Sequence, residues 1–293
     1  MRRTMLFLPG NNPNMIVNGG VLGADSIIFD LEDAVAPDEK DGARILVRNA
    51  LKSMEFGTCE IIVRINALDT PYWEADLEEM IPLNPDVIMP TKVSGGDYIR
   101  KLDEKMTEVE KKSGLAAGRI KIIPLLETAV GIENAYEIAV ASSRMAALYL
   151  GAEDLTADLR CQRTKEGGEI AYARGRLVCA ARAAGIEAYD TPFTDIEDIE
   201  GLETDARLAK SLGYTGKAVI SPRHVECVNR VFSPSEKEIA YAREVFEAIA
   251  FAKKNGKGAV SLRGKMIDAP IVQRARIVLE AARERKGVDD IHE

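Results

Sequence analysis

The sequence predicts an α/β protein, a (β/α)8 TIM barrel followed by a C-terminal helical flap. Eight short apolar runs alternate along the chain with segments of helical period, the pattern of parallel strands joined by crossover helices. The 293 residues are near the size of about 250 that one such barrel occupies, with room for an appendage. No Gly-x-Gly-x-x-Gly turn follows the first run, which favours a closed barrel over a dinucleotide-binding sheet.

The predicted strands are brief, often β-branched, and followed by polar residues, glycine or proline, which is typical of strands buried on both faces. They are Met5–Leu8, Ser26–Leu31, Glu60–Ile65, Asp86–Met89, Ile120–Leu126, Ala146–Leu150, Ile186–Tyr189 and Lys217–Ile220. Helical period between them predicts helices that include Glu39–Met54, Asp97–Ser113, Ile132–Ser142, Glu169–Ala184 and Ile199–Leu212.

The last 61 residues, 233–293, follow the eighth predicted strand. Ser233-Pro234-Ser235-Glu236 predicts a capping box with proline at the first helical position, opening a helix through about Lys254. A final helix is predicted from about Ala269. Because this tail is too small for a separate catalytic domain, we expect residues 1–232 to form the catalytic barrel and residues 233–293 a flap or oligomer contact of the same domain.

Composition excludes several classes of protein. The net charge is −8 and the basic residues are scattered, whereas a nucleic-acid surface needs concentrated lysine and arginine. No apolar stretch approaches the roughly 20 residues of a membrane span, and the N-terminal run, which stops at Pro9, is too short for a signal-peptide core. The four cysteines are widely spaced, which predicts reduced thiols and a cytoplasmic location.

The active site of such a barrel is built at the carboxyl ends of its strands. Carboxylates and a few cations follow the predicted strands at these positions. They lie in Asp30-Leu31-Glu32-Asp33, Arg64-Ile65-Asn66, Pro90-Thr91-Lys92, Glu127-Thr128 and Gly151-Ala152-Glu153-Asp154. Arg64 and Glu127 each come directly after an apolar run, where burial makes an unpaired charge costly. A metal ion or a charged substrate would supply their partners.

The residue types indicate which metal this is. Histidine occurs twice, as His224 and His292, and a zinc or iron site would require imidazole or thiolate ligands. Carboxylates with water and substrate oxygens suit Mg²⁺. The scarcity of histidine also leaves proton transfer to Asp, Glu, Lys or Arg. Mg²⁺ with an arginine at a barrel mouth is suited to stabilising an enolate, as in the cleavage of a β-hydroxy acyl thioester.

Several motifs together resemble one family. They are Met5-Leu6-Phe7-Leu8-Pro9-Gly10-Asn11-Asn12, Asp30-Leu31-Glu32-Asp33-Ala34-Val35, Val63-Arg64-Ile65-Asn66, Gly151-Ala152-Glu153-Asp154, Gly213-Tyr214-Thr215-Gly216-Lys217 and Gly264-Lys265-Met266-Ile267-Asp268. In this order, from about residue 2 to 285, the chain resembles the citrate lyase β-subunit family of the HpcH/HpaI aldolase and citrate lyase superfamily. The resemblance implies a Mg²⁺-dependent barrel that cleaves a citryl thioester into oxaloacetate and an acetyl thioester. It also implies an acyl carrier protein (γ) and a transferase (α) as partner subunits.

The resemblance also implies roles for individual residues. Glu127 and Asp154 match the metal ligands, Glu127 being close to the substrate as well, and Arg64 matches the substrate-binding arginine of the catalytic centre. Asp268 matches an acid/base that reaches from the C-terminal flap of a neighbouring subunit, which implies a homo-oligomer. The residues alone favour a different role for Asp268, because Asp268-Ala269-Pro270 is a good helix N-cap sequence.

Two departures from the family pattern leave alternatives open. Residues 12–18 lack the lysines found in some CoA-dependent relatives, which favours a protein-borne carrier. Pro90-Thr91-Lys92 shifts a lysine by one position, which in a strand changes its face, so Lys92 receives no catalytic role. The alternatives are a stand-alone citramalyl-CoA or malyl-CoA lyase, a Schiff-base aldolase that uses Lys92 or Lys217, and a non-catalytic partner within a complex.

Overall fold

The computed structural model describes residues 2–254 and 261–289, so His292 lies outside the described part. The chain divides into two compact units, Arg2–Phe232 and Ser233–Glu293. Within the described residues, no helix combines the length and the apolar character needed to cross a membrane.

The first unit is built on nine hydrogen-bonded strand segments that run parallel to one another. They are β1 (Thr4–Pro9), β2 (Ser26–Asp30), β3 (Glu60–Arg64), β4 (Val87–Met89), β5 (Lys121–Ile122), β6 (Leu125–Leu126), β7 (Ala147–Leu150), β8 (Glu187–Asp190) and β9 (Gly216–Val219). All eight strands predicted from the sequence are present, with their ends shifted by a few residues at most.

The segments β5 and β6 are two halves of one barrel strand, separated by Ile123 and Pro124. Proline has no N–H to donate to a ladder, which accounts for the interruption. The β4 strand pairs with β5, and β6 pairs with β7. Backbone bonds from Ile123 N to Ile88 O and from Tyr149 N to Pro124 O hold both sides of the gap. Since β1 pairs with both β2 and β9, the eight strands close into the predicted barrel.

Helices follow the strands, as the alternation of hydrophobic period predicts. They are α1 (Pro13–Asn18), α2 (Lys40–Ser53), α3 (Trp73–Met80), α4 (Gly96–Lys112), α5 (Ala129–Glu133), α6 (Ala135–Ala139), α7 (Ala152–Asp158), α8 (Ala171–Ala183), α9 (Ile199–Leu212) and α10 (Pro222–Phe232). The single helix predicted over Ile132–Ser142 was wrong, because the backbone breaks at Asn134 and two shorter helices form.

Alternation along the strands divides the apolar side chains between two sides of the barrel wall. Interior residues form one cluster that includes Met5, Ile62, Met89 and Tyr149. A larger cluster lies between strands and helices. Ala218 belongs to the interior cluster, so its neighbour Lys217 lies on the opposite side of the barrel wall, toward the helices.

Lys217 bonds to residues on the helix side of the wall and is fully buried. Its Nζ donates to Asp190 Oδ2 at 2.6 Å and to Thr191 O at 2.7 Å, and it also pairs with Asp205 of α9. All three donors of the ammonium are therefore engaged in the wall. This contradicts the alternative in which Lys217 is a Schiff-base nucleophile.

The second unit contains α11 (Glu236–Lys254), a two-stranded hairpin of β10 (Ser261–Leu262) and β11 (Lys265–Met266), and α12 (Ala269–Asp289). The predicted capping box was wrong by two residues. Ser235, rather than Ser233, caps α11, because Ser235 Oγ accepts from Glu238 N at 3.2 Å and Glu238 Oε2 accepts from Ser235 N at 2.7 Å. The reciprocal pair is a capping box, in which Pro234 precedes the cap instead of opening the helix.

Candidate active site

A cavity of about 480 Å³ opens at the carboxyl ends of the barrel strands. Every residue that lines it belongs to the first unit. Three of the four site residues predicted from the sequence, Arg64, Glu127 and Asp154, line this one cavity. They are brought together from different strands because the carboxyl ends of parallel strands meet at one rim.

Arg64, the last residue of β3, is held as a fixed cation. Its Nε and Nη2 form a two-pronged contact with Asp30 at the end of β2, with Nε 2.7 Å from Oδ1. Its Nη1 lies 3.2 Å from Glu32 Oε2, and its guanidinium is 5.0 Å from the centre of the Phe7 ring. These anions raise the pKa of Arg64 above its usual range against the opposing effect of burial. The planar fork fixes the orientation of the positive charge.

Glu127 directly follows β6 and is only 3% exposed. Its Oε1 accepts the backbone N–H of Lys92 at 2.8 Å. A Cβ on Gly151 would lie 2.8 Å from Glu127 Oε2 and 2.7 Å from its Cβ, so only glycine at 151 leaves this carboxylate its space. Burial and then the nearby charge of Asp154 raise the pKa of Glu127 from 4.5 to about 8.

Asp154 lies in the first turn of α7 and is 38% exposed at its side chain. A carboxylate at this position is favoured by the partial positive charge of a helix N-terminus. The nearest cation is Lys92, whose Nζ is 3.7 Å from Asp154 Oδ2. Glu127 and Asp154 therefore lie close enough to influence one another while one is buried and the other accessible.

Lys92 belongs to the site, although the sequence reasoning gave it a role only in the Schiff-base alternative. That reasoning assumed a strand, whereas β4 ends at Met89 and Lys92 lies in a turn with a left-handed φ of 53°. Its Nζ is 2.7 Å from Glu32 Oε1 and 3.6 Å from Asp33 Oδ1. The sequence did contain a signal for a role of Lys92 in the site, which was its positive charge close to a strand end. Five carboxylates at neighbouring strand ends require compensating cations.

The residues present fit a magnesium ion. Five carboxylates (Asp30, Glu32, Asp33, Glu127 and Asp154) surround the cations of Arg64 and Lys92. Within the described ranges no three side chains of His, Cys, Asp or Glu converge into a closed metal cage. Mg²⁺ is commonly held by one or two carboxylates, with water and substrate oxygens completing its shell. Glu127 and Asp154 provide that kind of open donor set.

Asp268 lies in the second unit and is exposed. Its Oδ1 accepts from Ile271 N at 3.1 Å at the start of α12. The N-cap that the residues alone favoured is therefore present. The structure does not assign the acid/base role that the resemblance implies.

A (β/α)8 barrel with an open carboxylate pair and a fixed arginine at its mouth has the groups that a carbon–carbon lyase or aldolase needs to stabilise an enolate. Residues 3–222 match the family described as HpcH/HpaI aldolase/citrate lyase. The chain belongs to this family, which confirms the resemblance found in the motifs.

Curated relatives extend the match over nearly the whole chain. The citrate lyase subunit beta of Leuconostoc mesenteroides subsp. cremoris is 46% identical over 289 residues, covering 99% of this chain and 96% of the relative. The L-malyl-CoA/beta-methylmalyl-CoA lyase of Cereibacter sphaeroides is more distant, at 35% identity with 96% and 94% of the two chains covered. A citrate lyase beta subunit from M. tuberculosis, solved with oxaloacetate and magnesium, is 30% identical with a TM-score of 0.66 over 79% of this chain and 96% of that chain.

Proposed function

We propose that this chain is the citryl-cleaving β subunit of a citrate lyase, a Mg²⁺-dependent carbon–carbon lyase that converts a citryl thioester into oxaloacetate and an acetyl thioester. The observation that carries the proposal is the convergence of Arg64, Glu127 and Asp154 on one cavity. The 46% identity to a citrate lyase beta subunit favours citryl over malyl substrates, since the malyl-CoA relative is 35% identical.

Each site residue has a role that its surroundings support. Glu127 and Asp154 would hold Mg²⁺, and a metal ion held there would supply Lewis-acid polarisation of the hydroxyl oxygen that becomes the ketone of oxaloacetate. Arg64, fixed by Asp30, binds a substrate carboxylate and balances developing negative charge. Because its fork is already oriented, little reorganisation is needed during the reaction.

The reaction balances with one proton removed and one returned. The tertiary hydroxyl of the citryl group loses its proton, and the bond between its carbon and the thioester methylene breaks. The electron pair moves onto the thioester as an enolate, and a proton added at carbon gives the acetyl thioester. We assign this proton transfer to Asp268 of a neighbouring subunit in a homo-oligomer, with residues 233–293 serving as a flap of the barrel domain.

The exposed position of Asp268 leaves it accessible to another subunit. Mixing Asp268→Asn subunits with Glu127→Gln subunits tests this role, since asparagine preserves the N-cap. If Asp268 acts in trans, two inactive variants recover part of the activity when assembled together. If it acts within its own chain, the mixture stays inactive.

The carrier of the acyl group is proposed to be an acyl carrier protein, with a transferase subunit completing a cytoplasmic complex. The first helix, α1, begins with Pro13-Asn14-Met15 and has no basic residue in its last turn. Free CoA would favour cations for its phosphates. The stand-alone CoA-dependent lyase remains the second candidate, and the identity to the malyl-CoA lyase is the observation in its favour.

One assay separates these proposals. The purified chain receives citryl-CoA as a surrogate, with Mg²⁺ or EDTA, and oxaloacetate is followed through malate dehydrogenase. We expect Mg²⁺-dependent release that is lost in Glu127→Ala and retained in Glu104→Gln, a change at an exposed glutamate of α4. Cleavage of malyl-CoA or citramalyl-CoA alone would favour the second candidate, and activity in EDTA would contradict the metal site.

A further inference from the structure

The turn after β4 connects three parts of the site through one residue, Lys92. Its main-chain N–H donates to Glu127 Oε1 at 2.8 Å. Its side chain extends the other way, so that Nζ lies 2.7 Å from Glu32 Oε1. The second oxygen of that glutamate, Oε2, is 3.2 Å from Nη1 of Arg64. Lys92 thus contacts Glu127 directly and is connected to Arg64 through Glu32.

The backbone of Lys92 is held in a conformation that lysine rarely adopts. A φ of 53° lies in the left-handed region, which is unfavourable for a residue with a Cβ and persists only when the surroundings impose it. Neighbouring contacts do impose it. Thr91 is fully buried, and its carbonyl accepts the Tyr98 hydroxyl at 2.7 Å, while the same hydroxyl accepts Leu68 N at 2.9 Å.

The position of Glu32 depends on this ammonium. Glu32 is 5% exposed, and a buried carboxylate that loses a cation either shifts or takes up a proton. Its remaining partners are Arg64 and the backbone N–H of Asp33, at 2.9 Å from Oε2. Both of these engage Oε2, so Lys92 is the partner that holds Oε1. Without it, the carboxylate can rotate and lose its 3.2 Å contact with Nη1 of Arg64, which leaves the guanidinium held at its other edge by Asp30.

We infer that Lys92 is a positioning residue, which sets the orientation of the substrate-binding Arg64 relative to the metal ligand Glu127. Its ammonium holds Glu32, which contacts Arg64, and its main-chain N–H holds Glu127. The inference rests on the proposed function. The contacts of Lys92 with Glu32 and with Glu127 can be tested separately. A substitution at position 92 that keeps the backbone conformation removes the side-chain contact with Glu32 and leaves the N–H that donates to Glu127.

The test uses Lys92→Asn, since asparagine tolerates the left-handed conformation and retains the N–H that donates to Glu127. Mutation of a group that orients a metal ligand typically costs about 10–100-fold in metal affinity or activity, and the lower end of that range applies to the Lys92 ammonium, which acts on Arg64 through Glu32. We expect kcat/KM for citryl-CoA to fall at least about tenfold, with Mn²⁺ binding, measured by electron paramagnetic resonance, no weaker than in the wild type. Lys92→Arg restores the charge and should recover most of the lost activity.

Lys112→Asn is the matched control, because Lys112 is an exposed lysine of α4 that pairs with Glu108. It should leave kcat/KM, Mn²⁺ affinity and Tm unchanged. A Lys92→Asn variant with wild-type kcat/KM overturns the inference while leaving the proposed function intact. So does a variant in which Tm falls and kcat/KM is unchanged, since that marks a structural role only. A wild-type chain that neither binds Mn²⁺ nor cleaves citryl-CoA overturns the proposed function and this inference together.

Discussion

Replacing Glu127 with glutamine should stabilise the metal-free protein, by an amount that grows with pH. The carboxylate is 3% exposed, and its pKa is raised from 4.5 to about 8 by burial and by the charge of Asp154. Glutamine has nearly the same shape and can still accept the Lys92 N–H. It removes the charge that is costly to bury without a metal ion.

The pKa shift fixes both the sign and the size of the effect. Between pH 4.5 and 8 the folded wild type holds a proton on Glu127 that the unfolded chain has lost, so its stability falls as pH rises through this window. Each pKa unit corresponds to about 1.4 kcal/mol. The advantage of Glu127→Gln should therefore grow from near zero at pH 4.5 to about 5 kcal/mol above pH 8, or roughly 10 °C in Tm for a chain of this length.

The assay is urea and thermal unfolding in EDTA from pH 5 to 9, comparing wild type, Glu127→Gln and the exposed-site control Glu104→Gln. Adding Mg²⁺ at pH 8.5 should stabilise the wild type, by about 2.7 kcal/mol at 100 times its Kd, and leave Glu127→Gln unchanged. A stability difference that does not change across the pH range would contradict this prediction, because it would mean that Glu127 ionises in the folded protein as it does in water.

Four further outcomes follow from the structure. Apparent Mn²⁺ affinity should fall by about tenfold per pH unit below pH 8, since a proton on Glu127 competes with the metal. A Mn²⁺ affinity that does not change between pH 6 and 8.5 would contradict this prediction. Lys217→Met should lower the free energy of unfolding by about 3–5 kcal/mol, because Asp190 and Asp205 lose a buried partner, and urea titration measures it. Borohydride with oxaloacetate should leave no adduct on the wild type by mass spectrometry, whereas an adduct at Lys92 would revive the Schiff-base aldolase. Tyr149→Phe should leave the stability equal or raise it by about 1 kcal/mol, because the buried Tyr149 hydroxyl has no hydrogen-bond partner in the described structure; a clear loss by thermal unfolding would contradict that.

The barrel and the location of its chemistry could be predicted from the amino-acid sequence alone. Short apolar runs and helical segments report local periodicity, which depends on residues close together in the chain. Parallel strands then bring their carboxyl ends to one rim, so Arg64, Glu127 and Asp154 could be predicted as neighbours without knowing any distance. The N-cap at Asp268 was equally local, since an aspartate followed by alanine and proline is sufficient to indicate it.

The pairing of the charges at the rim could not be predicted from the sequence, because it depends on the folded arrangement of the strands. The role of Lys92 depends on a left-handed φ next to Thr91, whose carbonyl accepts the Tyr98 hydroxyl, and on contacts with Glu32 and Glu127 that no strand-parity rule could anticipate. Burial raises the pKa of Glu127, and the glycine at position 151 leaves space for its carboxylate. Both effects arise from the packing of neighbouring strands, in which Glu127 and Gly151 meet although they are 24 residues apart in the chain. Lys217 likewise faces the helices because of the register of β9. Electrostatic roles of this kind depend on distances between residues far apart in the chain, and those distances exist only once the barrel has closed.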